Sequence, residues 1–182
     1  MRGCTTRLCR VFRVPTIGVA IAIPEPWATE LQDYRTSIGD ATAAQIPTHI
    51  TLLPPVEVDD DDVPDVSDAL AAAASSVNPF TIHLRGTGTF RPISPVVFVT
   101  VVEGISSCER LADAVRRGPL AVDRKFPYHP HVTIAHHLDD DTLDRAFGEL
   151  MAFECAFDVD SFCLYVHDES DGWAPTRGFG LG

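Results

Sequence analysis

Positive charge is scarce in this chain: 14 lysines and arginines stand against 26 aspartates and glutamates, a formal net charge of −12 at pH 7. Long nucleic acid is gripped by neutralising many phosphates over a broad basic surface, so this balance argues against such a partner. A nucleotide or an RNA end fits it, provided positive charge is concentrated locally. No apolar run is long enough to span a membrane. The five cysteines, at positions 4, 9, 108, 155 and 163, include no CxxC pair and leave an odd one over. That pattern suits a reducing, cytoplasmic compartment, with Cys108, Cys155 and Cys163 as small apolar residues. Only the start imitates a secretory signal, with Arg2, Arg7, Arg10 and Arg13 ahead of the apolar run Ile17 to Ile23. Pro24-Glu25-Pro26 cuts that run short, and it reads better as a first strand. Residues 1–14 are then expected to be a flexible basic arm or an over-extended start.

What the chain does have is enough apolar content, 45% of 182 residues, for one domain or two small lobes sharing a core. Residues 15–182 are expected to form it. After the Ile17 to Ile23 strand, Trp27, Leu31, Tyr34 and Ile38 fall at helical spacing, with Gly39 placed as a C-cap. Thr48 to Leu53 is a strand stopped by Pro54-Pro55. Asp59 to Asp62 lacks the alternating spacing of a calcium loop and reads as the acidic start of a helix carrying Val66, Ala69, Leu70, Ala73 and Val77. A strand from Phe80, a turn over Phe90 to Pro95 and a central strand Val96 to Val102 follow. The order then repeats: a helix over Ile105 to Arg117, a strand near His131, an acidic helix start at Asp139 to Asp141, and a last strong strand near Ala156 to His167. The tail from Asp168 carries Pro175 and three glycines, which suits a sheet edge or loose packing. Each half reads strand, helix, strand, acid-capped helix, strand, the plan of a duplicated architecture.

The middle strand of each half carries the same pattern, His49-Ile50-Thr51-Leu52 and His131-Val132-Thr133-Ile134. Alternate side chains of a strand face opposite ways, so each tetrapeptide has an apolar back and an imidazole and a hydroxyl on its front. Two such strands side by side would set two imidazoles and two hydroxyls around one cleft. That set suits in-line chemistry at phosphorus without metal or cofactor. One neutral imidazole takes the nucleophile's proton, one imidazolium protonates the leaving oxygen, and hydroxyls bond the non-bridging oxygens. The pattern leaves open which histidine is the base.

The paired HxTx motifs, with Pro130 before the second, resemble those of the 2H phosphoesterases, the 2′-5′ RNA ligase or LigT-like superfamily. The resemblance runs from about Pro15 to Leu181. It implies an α+β, duplicated, bilobal LigT-like fold: two pseudo-symmetric lobes of antiparallel sheet with outer helices and a central cleft. The lobes are expected at about 15–91 and 92–182. It implies catalytic His49 and His131, phosphate-binding Thr51 and Thr133, and a small nucleotide or RNA terminus as substrate, bearing a 2′,3′-cyclic phosphate or a 2′-5′ linkage. A monomer is expected.

Around the motifs, Arg85, Arg91, Arg124 and Lys125 are the nearby positive charges that could hold a phosphate. Phe90, Phe126, Tyr128 and His129 are candidates to meet a base, the aromatics by stacking. Two rival readings stand beside the enzyme. One is a module that binds a nucleotide or RNA end without turnover. The other is a metal-dependent hydrolase using His129, His131, His136 and His137, although Pro130 interrupts the first pair and no cysteine completes a zinc pattern. His83 and His167 read as ordinary strand residues.

Overall fold

A computed structural model of the chain describes residues 14–123, 126–168, 170 and 172–182. The expected arm lies almost wholly outside the described residues, as do Arg124 and Lys125. In chain order the elements are β1 (Thr16–Ala22), α1 (Trp27–Ser37), β2 (His49–Glu57), α2 (Val63–Ser75), β3 (Phe80–Thr89), β4 (Val96–Glu103), α3 (Ile105–Val115), β5 (His131–His136), α4 (Asp140–Glu149), β6 (Glu154–Val159), β7 (Ser161–Asp168) and β8 (Gly172–Gly180). The alternation of strand and helix is the one the periodicities predict. Gly39 takes φ +84° after α1, as a helix-ending glycine does. Asp139 starts α4 by accepting the Thr142 N–H at 2.9 Å. The earlier acidic run forms a 3-10 turn, Asp60–Asp62, leading into α2.

All eight strands join one antiparallel sheet in the order β6-β3-β4-β5-β2-β1-β7-β8. The order has a pseudo-two-fold centre between β5 and β2, the two motif strands. The lobes are therefore not the consecutive halves 15–91 and 92–182. A cut at 91 would part β3 from β4, which pair as a hairpin, and would part β7 and β8 from β1, with which β7 pairs. One half of the sheet is β3 to β6; the other is β1, β2, β7 and β8. The reason is local: hairpin neighbours pair with each other before the chain crosses over.

The stretch expected as one strand, Ala156 to His167, is two, parted at Asp160. β6 and β7 lie six places apart in the sheet order, roughly 29 Å if the sheet were flat. Two residue steps span at most about 7.6 Å. The sheet therefore curls until its ends meet. β8 closes the far edge, as its proline and glycines suggest, with Phe179 buried on Phe162.

The apolar backs of the motif strands, Ile50, Leu52, Val132 and Ile134, are all fully buried in one continuous core with the inner faces of the helices. Each such side chain contributes about 1.5–3 kcal/mol. A one-residue slip of either strand would bury an imidazole in place of an aliphatic chain, so the core fixes which face the histidines take. α1 packs on β5 and α3 on β2, each helix crossing to the other half's motif strand.

Candidate active site

Ile50 and Val132 are register partners where β2 and β5 meet. Continuing that antiparallel register sets His49 opposite Thr133 and Thr51 opposite His131. The cavities agree: His49 and Thr133 line one small pocket, and Thr51 and His131 line a larger one. The histidines sit on the diagonal, about 7–8 Å apart along the backbone. They can approach a central atom from two sides.

Both rings are held alike. His49 Nδ1 lies 2.6 Å from the Pro47 carbonyl, and His131 Nδ1 lies 2.7 Å from the His129 carbonyl, in each case two residues back. A carbonyl only accepts, so each Nδ1 carries hydrogen and donates it. Each Nε2 is then the nitrogen free to exchange a proton. His49 Nε2 also meets the Thr51 hydroxyl at 3.1 Å. Burial pushes both imidazoles below the ordinary histidine range, against a partial upward pull from those carbonyl bonds. The Arg35 guanidinium lowers His49 further, and the neighbouring His129 and His49 lower His131 further.

The surroundings differ. His131 is walled by Phe90, edge-on at 4.9 Å between ring centres, and by Phe98 at 5.1 Å. Phe98 faces Gly88 across the β3–β4 pair, and a Cβ at Gly88 would lie 2.5 Å from the Phe98 ring. The glycine makes room for the ring that backs the histidine. On the His49 side stands a buried ion pair, Arg35 Nε to Asp40 at 2.9 Å, with Arg35 also donating to the Ile46 carbonyl at 2.7 Å. Neither Phe98 nor Arg35 stood out in the sequence, where one is a residue of an apolar run and the other a charged residue on a helix.

This larger cavity, about 490 Å³, brings together Thr51, Phe90, Phe126, Tyr128, His129 and His131. Phe126 and Ile93 are exposed at its rim, 65% and 76%. Its described basic residue is Arg116, absent from the expected set. The Arg116 Nε donates to the Leu52 carbonyl at 2.6 Å, and its guanidinium lies 5.2 Å from the centre of the Tyr128 ring. The Tyr128 hydroxyl donates to the Thr51 carbonyl at 2.9 Å. Only the fold could reveal this cation, because α3 and the motif strand meet across 64 residues. Arg91 is turned elsewhere: it donates to Asp144 at 2.6 Å and Asp140 at 3.5 Å on α4. Arg85 is exposed on β3 opposite Glu154, outside the cavity lining.

The histidine cluster does not gather. His129 and His131 stack with 6.2 Å between ring centres, and His136 and His137 stack separately at 3.7 Å. His137 lies beyond the strand with φ +55°, which folds its ring back over His136 instead of to the opposite face. Among the described residues no three histidine, cysteine, aspartate or glutamate side chains converge as metal ligands. His83 pairs with Glu154 at 2.8 Å, and His167 packs on Trp173. Cys108 and Cys155 are buried, and burial raises their thiols to about 12 and about 11, which leaves them unreactive packing residues. No helix among the described residues is long and apolar enough to cross a membrane.

Known proteins resemble this chain in sequence and in fold. Residues 23–171 match the family model described as the 2′-5′ RNA ligase superfamily. A Bacillus cytotoxicus protein provisionally named as a phosphoesterase is 30% identical over 145 residues, 79% of this chain and 84% of that protein. Among solved structures, E. coli LigT in its apo form superposes with a TM-score of 0.66 at 21% identity, covering 93% of this chain and 98% of that one. LigT complexed with 3′-AMP gives 0.64 at 20% identity, covering 93% and 99%. The chain belongs to the 2′-5′ RNA ligase superfamily, and its α+β, duplicated, LigT-like fold is the one that the paired motifs imply.

Proposed function

We propose that the chain is a two-histidine phosphoesterase acting on the 2′,3′-cyclic phosphate or the 2′-5′ linkage of a nucleotide or RNA end. The observation that carries this reading is the diagonal pair of imidazoles, each with its Nδ1 tied to a carbonyl and its Nε2 available. Opening a cyclic phosphate needs a base for the attacking water and an acid for the departing ribose oxygen, at opposite apices of the phosphorus. His49 and His131 supply the two, and exchange roles in the reverse direction. Thr51 and Thr133, one beside each imidazole, donate to the non-bridging oxygens as charge builds on them. Both imidazoles lie low when the site is empty, and an arriving phosphate raises them by its charge. Binding itself therefore generates the imidazolium acid. Arg116 adds positive charge on the cavity wall without leaving Leu52 and Tyr128. The apolar cavity of about 490 Å³ is of a size for a nucleoside, and the relative LigT is a protein that takes 3′-AMP.

The test is to incubate the pure protein with 2′,3′-cyclic AMP in chelator and follow opening to the monoester. Turnover lost in His49→Ala and in His131→Ala supports the enzyme. Tight binding with no turnover of cyclic or 2′-5′ substrates assigns a binding module, and turnover only with added divalent metal assigns metal-dependent chemistry.

A further inference from the structure

The motif pair is flanked by a cavity on each side. Beyond Thr51, opposite the large cavity, lies a second of about 190 Å³, lined by His49, Thr51, Gly18, Ala20, Tyr165 and Trp173. Ala20 is the register neighbour of Thr51, and Phe98 is the register neighbour of Thr133. At equivalent places the sheet is filled on one flank and open on the other. The volume is below the roughly 300–1,000 Å³ of a whole ligand site, so it suits one ring of a larger ligand.

Trp173 walls this opening, and three features hold it there. Its backbone N–H donates to the Gln45 carbonyl at 2.8 Å. The preceding Gly172 has φ +74°, and a Cβ there would lie 2.6 Å from the Gln45 oxygen, so the approach requires glycine. The indole lies against Gly18 in β1, whose Cβ would stand 3.3 Å from the ring. The indole is nonetheless only half-buried, and it also lines a third cavity continuing outward past Tyr165 and Pro47. A large aromatic set on a glycine floor, with His167 packed beside its ring and part of its surface still exposed, offers a stacking surface for a base. Gly18 and Trp173 both fall outside the 23–171 stretch that matches the family model.

We propose that Trp173 stacks the base on the far side of the scissile phosphate, so that the substrate is a phosphodiester with a nucleoside on each side, as in a 2′-5′ dinucleotide. This rests on the two-histidine reading above. The 3′-hydroxyl of the nucleoside in the larger cavity attacks phosphorus and gives its proton to one imidazole. The bond to the other nucleoside's 5′-oxygen breaks, and the second imidazole protonates that oxygen. A 2′,3′-cyclic phosphate and a free 5′-hydroxyl result, so atoms and charge balance.

The experiment compares 2′-5′-linked diadenosine monophosphate with 2′,3′-cyclic AMP in the wild type, Trp173→Leu and Trp173→Phe. Stacking on one aromatic side chain is worth roughly ten- to a hundred-fold. Trp173→Leu is expected to lose at least about ten-fold in kcat/KM on the dinucleotide, carried in KM, and to stay within about two-fold on the cyclic substrate, with Trp173→Phe recovering most of the loss. No loss on the dinucleotide, or equal loss on both substrates, overturns the subsite while leaving the two-histidine chemistry standing. If the wild type turns over neither substrate, that chemistry fails. Indole fluorescence in Trp27→Phe then decides the subsite by itself: quenching by the dinucleotide supports it, and none overturns it.

Discussion

Ile50 lies opposite Val132 across the centre of the sheet, and this one pair sets the spacing of His49 and His131. Because both apolar side chains are fully buried, the core controls the geometry of the face that carries the two histidines. His49→Ala and His131→Ala are each expected to lower kcat by about 10²–10⁴ with little change in stability. Thr51→Val and Thr133→Val should cost about 10- to 100-fold each, as loss of a hydrogen bond to a charged oxygen does. Steady-state rates beside thermal melts of the four variants check this, and near-equal threonine losses are the outcome the pseudo-symmetry requires.

Burial lowers both imidazoles from an ordinary pKa of about 6.5. The free enzyme has one ring charged and one neutral only below that value, so the optimum of kcat/KM should lie on its acid side. The kcat profile should move to higher pH, because bound phosphate favours the imidazolium. The same shifts affect folding. Above about pH 6.5 both folded and unfolded rings are neutral, and as pH falls through it the unfolded chain takes up protons first, so stability declines. Rate profiles and melts over about pH 4.5–8.5 test both signs. A kcat/KM optimum above pH 7 would count against the burial argument.

The Arg35–Asp40 pair is sealed from solvent, with side chains 5% and 1% exposed. Burial alone would raise the Asp40 carboxyl, but hydrogen bonds from Thr42 and Arg35 hold it below its usual range. Asp40→Ala strands a buried guanidinium and should destabilise the fold by about 3–5 kcal/mol. Urea unfolding measures it, and a cost under about 1 kcal/mol would mean that the pair is solvated.

Gly88→Ala puts a methyl group where the Phe98 ring lies. The ring must shift, and it is the wall of His131. The variant should lose roughly ten-fold or more in kcat, since small displacements of a reacting group are expensive. Its KM should change little, because Gly88 does not line the cavity. An unchanged kcat would show that Phe98 yields without moving the histidine.

The strands that carry His49 and His131 were legible because alternation is a local signal: apolar Ile50, Leu52, Val132 and Ile134 declare the buried face within four residues. The helices were legible for the same reason. Partners chosen across the sheet were not. Nothing local tells Arg91 that its anions are on α4, or brings Arg116 to Leu52 across 64 residues. The break at Asp160 sends β6 and β7 to opposite ends of the sheet order, and the composition around it reads as one continuous strand. Trp173 sits in a tail whose glycines argue for looseness, yet Gly172 is what lets the backbone close on Gln45.

The central claim is that His49 and His131 serve one phosphorus atom. The most direct measurement is kcat/KM for His49→Ala, His131→Ala and the double variant on one substrate, in chelator. Groups acting as a unit are non-additive, so the double variant should be no slower than the slower single variant. Losses that multiply, or a single variant that keeps near wild-type activity, would contradict it.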